Sequence, residues 1–102
     1  MSNTLAKVKN LEQFLRKHGD DALISQTIAK MLSYKIQQCE REIRKLDREL
    51  RKFERAHGMN SSDFFRDFMD GKLGDELDLI EWSSFYQMRQ RVLDRKAELE
   101  RV

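Results

Sequence analysis

The chain has 102 residues, enough for a single domain overall, with no proline, four glycines and 37% charged residues against 39% hydrophobic ones. That profile suits long helices with a narrow buried seam and counts against a deep core with a roomy active-site pocket. The net charge is only +2, yet residues 59–81 hold seven acids and two bases, while the flanking stretches are basic. An acidic block between basic arms speaks to partner choice rather than to fold.

The predicted fold is all-α. A first helix spans about residues 4–17, within an N-terminal segment 1–19, and places Leu5, Val8, Leu11 and Leu15 on one face. Gly19 ends it, and Asp20 or Asp21 opens a long second helix over 20–57. Leu32, Ile36, Cys39, Ile43, Leu46, Leu50 and Phe53, followed by His57, are spaced alternately four and three apart. This is an unbroken heptad seam of the coiled-coil type. The outward pairs Glu40–Arg44 and Asp47–Arg51 stand four apart and predict local ion pairs. Leu23, Ile24, Ile28 and Met31, at the start of the helix, need cover from the first helix, a dimer mate or another protein.

Gly58 stops the rod, and Asn60 caps a short Phe-rich helix over 60–70, with Asp63 three residues on. Gly71 and Gly74 punctuate the next connection. Asp75, with Asp78 three residues later, is read as the cap of a fourth helix over 75–101. Phe85, Met88, Val92 and Leu99 continue a three/four spacing that breaks at Arg95, with Leu77 and Ile80 on a rotated face toward the short helix. The expected architecture is a long antiparallel hairpin over 20–102, closed by the Phe-rich helix and preceded by the extra N-terminal helix.

Chemistry is sparse. His18 and His57 lack metal-ligand spacing and read as helix-end residues. The cluster Asp75, Glu76, Asp78 and Glu81 lacks the calcium-loop pattern or phosphate-binding partner that a divalent site brings. Cys39 sits on the seam, where a small apolar residue belongs. No serine has a matching histidine and carboxylate, and REIRKLDRELRKFER mixes acids into its bases, unlike a phosphate-binding stripe. The expectation is therefore no enzyme, no cofactor, no metal and no direct nucleic-acid contact. One cysteine, no signal-peptide pattern and no apolar stretch of about 20 residues lead to the expectation of a cytoplasmic protein without membrane association. Trp82, Phe85 and Tyr86 share a helical face that either packs on the second helix and the Phe-rich turn or, with the acids, forms a partner-binding surface of Asp75, Asp78, Glu81, Trp82, Phe85 and Tyr86; the second is the expectation carried forward.

The stretch FERAHGMNSSDFFRDFMDGKLGDELDLIEWSSFYQMRQR resembles a pattern shared by small helical proteins of archaea and cyanobacteria that look like the antitoxin side of toxin–antitoxin pairs. The residues that carry the resemblance include Phe53, Glu54, Gly58, Met59, Phe64, Phe68, Gly71, Leu73, Gly74, Asp75, Asp78, Glu81, Trp82 and Tyr86, within about residues 30–99. His57 stands where a tyrosine is usual and Leu79-Ile80 where aromatics are common. The resemblance implies a small cognate toxin as partner, basic and ribonuclease-like. The alternative expectation is a homo-oligomeric coiled-coil scaffold, and the two are compatible if the protein forms a homodimer.

Overall fold

Helix order follows from where the chain can satisfy the ends of each helix. In the computed structural model, which describes residues 3–101, the elements are α1 (Asn3–His18), α2 (Ala22–His57), α3 (Ser61–Met69) and α4 (Leu77–Glu100). Arg16, Lys17 and His18 fill the last turn of α1, where positive charge suits the exposed carbonyls. Asp21, not Asp20, caps α2: its carboxylate accepts the backbone N–H of Ile24 at 3.0 Å. Asn60 caps α3 as predicted, accepting the N–H of Asp63 at 2.9 Å. Gly58 turns the chain between them at φ +63°, its N–H bonded to the Glu54 carbonyl at 2.8 Å. No neighbour lies where a Cβ would stand, so backbone conformation alone favours glycine there.

One expected cap is corrected. Glu76, not Asp75, occupies the N-cap position of α4, and its side chain makes no capping bond. The Glu76 carbonyl accepts the N–H groups of Leu79 and Ile80, so the helix starts at Leu77. Asp75 is left exposed outside the helix, and Asp78 bonds His57 instead.

The chain divides into two units, Met1–Ser33 and Tyr34–Val102. The predicted division after residue 19 falls inside the first. That unit holds α1 and residues 22–33 of α2, and none of its described side chains is buried.

The second unit holds residues 34–57 of α2 with α3 and α4, and here the antiparallel hairpin is plain. His57 meets Asp78, Phe53 stacks on Trp82, Asp47 pairs with Arg89, and Glu40 pairs with Lys96. As the α2 number falls, the α4 number rises by nearly the same amount, which is the signature of antiparallel register. The expected local pairs Glu40–Arg44 and Asp47–Arg51 are replaced by these cross-helix partners.

The α4 seam runs through Asp78, Trp82, Phe85, Arg89, Val92, Lys96 and Leu99 at four/three spacing. The apparent break at Arg95 disappears, because Lys96 holds that place with its ammonium on Glu40 and Glu100. Met88 lies off the seam and is exposed. On α2, Cys39, Leu46 and Leu50 are buried, and Ile36, Ile43 and Phe53 half-buried. Leu32, predicted as seam, belongs to the first unit and is exposed. The core has two parts: Cys39, Leu46 and Val92 along the hairpin, and Leu50, Phe64, Leu79 and Trp82 beneath α3.

Candidate functional site

The motif residues converge at the closed end of the hairpin, where α3 lies against α4. A short helix of nine residues cannot hold its place by its own hydrogen bonds, so α3 depends on what it buries. Phe64 is fully buried and lies face to face with the indole of Trp82, centroids 3.7 Å apart and planes 4° from parallel. Phe53 stacks on Trp82 at 5.8 Å, and the His57 ring lies 5.2 Å from it. Trp82 retains 1% of its exposure. Burying an indole demands a partner for its N–H, and Ser61 Oγ accepts that bond at 2.9 Å. The Ser61 hydroxyl donates in turn to Glu54 Oε2 at 2.7 Å, and the same carboxylate oxygen accepts the Ser61 backbone N–H at 2.9 Å.

This chain of bonds links α4, α3 and α2 through one side chain from each. The Glu54 carboxylate also stands at the N-terminus of α3, where the exposed N–H groups and the helix dipole favour negative charge. Among the described residues no buried side-chain polar atom lacks a hydrogen-bond partner. Residues 53–54, 61, 64 and 82 therefore form a clasp that closes the hairpin. Glu54 and Ser61 were missing from the predicted site. Glu54 and Ser61 stand seven apart in the sequence but Trp82 follows twenty-one residues after Ser61, so only the fold shows which groups the indole can reach.

The predicted partner face is consequently split. Trp82 is interior, because both α3 and α2 pack on it. Phe85 is half-buried with its ring 6.0 Å from that of Phe53, and half-buried Tyr86 stacks on Phe65 at 4.7 Å. The aromatics thus serve packing. Asp75, Asp78 and Glu81 stay on the surface, with Asp78 Oδ2 3.1 Å from His57 Nε2. Beside them Leu77 is 80% exposed and Ile80 44%, contrary to the expectation that both lean on the short helix; Leu79 is buried in their place. Leu77, Ile80, Glu81, Ser84 and Met88 recur at helical spacing and are all exposed, so they make one outward stripe of α4. A contiguous apolar patch rimmed by charge marks a protein-binding surface when it is large, and here Leu77, Ile80 and Met88 supply its apolar part.

Compared with protein-family models, curated proteins and solved structures, the chain matches none. Among the described residues no cluster of three or more His, Cys, Asp or Glu could hold a metal ion, and no helix is long and apolar enough to cross a membrane. A shallow polar groove of about 420 Å³ flanks the clasp, lined by Asp47, Arg51, Glu54, Ser62 and Arg89 among others. Asp47 and Arg89 already satisfy each other across it, and Glu54 is engaged by Ser61.

Proposed function

We propose that the chain is a non-enzymatic protein-interaction module, an antitoxin that holds a small basic, ribonuclease-like toxin on the outer face of α4. The observation that supports this reading is the exposed stripe of Leu77 and Ile80 set among Asp75, Glu76 and Glu81, none of which the core uses, with Asp78, held by His57, at its edge. Negative charge would speed encounter with a cationic partner, and the aliphatic side chains would slow its release. Burying the aromatics in the clasp keeps this rim in one conformation, so less ordering is left to binding.

The test is co-expression with the product of the adjacent reading frame, provided that product is a small basic protein that arrests growth alone. The intact chain is expected to restore growth. Leu77→Ser combined with Asp75→Asn and Glu81→Gln is expected to lose that rescue while helical circular dichroism is retained. Rescue by this triple variant would sink the site, and failure of the intact chain to rescue would sink the antitoxin reading. The second reading, a homo-oligomeric scaffold, is favoured by one observation, the absence of buried residues over 3–33, and the two readings are compatible.

A further inference from the structure

The first unit poses a physical problem that its own residues do not solve. Its α1 and the start of α2 carry Leu5, Val8, Leu11, Phe14, Leu23 and Met31, each between 39% and 74% exposed, and none of its described residues is buried. Units below about 40 residues usually need a disulfide, a metal or oligomerisation to hold a tertiary structure. The only cysteine, Cys39, lies outside this unit, and no metal-ligand cluster occurs among the described residues. What remains is cover by another polypeptide, a second copy or a different protein.

Resting on the homo-oligomer reading above, we propose that residues 3–33 form an isologous dimer interface, in which the α1–α2 corner of one copy packs on the same corner of a second copy. Three observations select a second copy as the occupant. First, Lys7, Asn10, Leu11, Phe14 and Ile24 line an open groove of about 510 Å³ whose surface is mostly apolar, and Leu5, Val8, Leu23 and Met31 stand exposed elsewhere on the same unit. A two-fold contact can set those side chains of one copy against the groove of the other. Second, the six exposed side chains represent on the order of 500 Å² per copy, taking ~150–200 Å² for a fully exposed side chain of this size. Pairing would bury roughly 1,000 Å² in total, the lower bound for a specific interface. Third, residues 1–33 carry five basic and three acidic side chains, so two copies meet without a strong like-charge barrier and without the one-signed field that would select an oppositely charged partner. Two helical pairs brought together make a four-helix cluster, an arrangement in which these apolar faces can enclose a core.

Sedimentation of the full chain over a wide concentration range tests this. Two-chain mass is expected, with amide protection over residues 3–33 that rises with concentration. Leu11→Lys combined with Phe14→Lys should weaken association at least about a hundredfold. The buried emission of Trp82, the only tryptophan, should be unchanged and report that residues 34–101 remain folded. Leu77→Lys, on the outer face of α4, should leave the dimer intact. A monomer at every concentration, a dimer that survives the double lysine variant, or one that Leu77→Lys dissociates would overturn the proposal. Protection over 3–33 that is independent of concentration in the intact chain would overturn it without any variant.

Discussion

Residues 3–33 and residues 34–101 are built from the same kind of helix, yet only the second group has an interior. The first has apolar side chains at helical spacing on both α1 and α2 and buries none. The second buries Trp82, Phe64 and Val92 to 1% exposure or less and gives the polar groups of its clasp hydrogen-bond partners. Amphipathic pattern creates the demand for burial, and packing partners satisfy it. In the second unit α4 returns along α2 and encloses Cys39, Leu46 and Val92 between the two helices, and α3 adds a further side over Leu50, Leu79 and Trp82.

The sharpest way to break the comparison is to empty the clasp. Trp82→Ala removes the side chain on which Phe64, Phe53 and His57 all stack, and should cost ~3–5 kcal/mol in urea denaturation. Leu23→Ala, at a residue 74% exposed, should cost less than ~0.5 kcal/mol at dilutions where the chain is monomeric. Equal losses at the two positions would refute the contrast. Next in size, Ser61→Ala leaves the indole N–H without its acceptor and the half-buried Glu54 carboxylate without a hydroxyl donor, for ~1–3 kcal/mol. Asn60→Ala removes the α3 cap and should cost ~1 kcal/mol, as should Asp21→Ala at the start of α2. Because α3 is coupled to the clasp and α2 enters the first unit, only Asn60→Ala should also shift Trp82 emission. A small effect is also expected of the Asp47–Arg89 pair. Both side chains are about 30% exposed, so a double-mutant cycle should give ~1 kcal/mol or less, shrinking with added salt.

Much of the hairpin was legible. Cys39, Leu46 and Leu50 lie on the predicted seam and are buried, and Asn60 caps where the pattern placed it. The α4 seam was harder because Asp78, Arg89 and Lys96 occupy seam positions as ion-pair partners, and an apolar template passes over them. The candidate surface was half legible. Its acids were visible as a charge block, but periodicity could not divide packing from docking for the aromatics, of which Trp82 is buried and Phe85 and Tyr86 half-buried against the core. Leu77 and Ile80, read as packed, are the apolar residues that face outward.

By itself the sequence determined that there are four helices, that Gly19, Gly58 and Gly71 interrupt them, and which residues of α2 share a face. These are local matters of capping, glycine conformation and the 3.6-residue period, each settled within a few turns. Only the tertiary structure decided that Trp82 is a closing element and not a docking anchor, that Asp47 and Glu40 pair across the hairpin, and that residues 3–33 keep their apolar face uncovered. The reason is geometric. Periodicity orients a side chain about its own helix axis, but burial depends on how many other elements arrive on that side. For Trp82 there are two, α2 and α3.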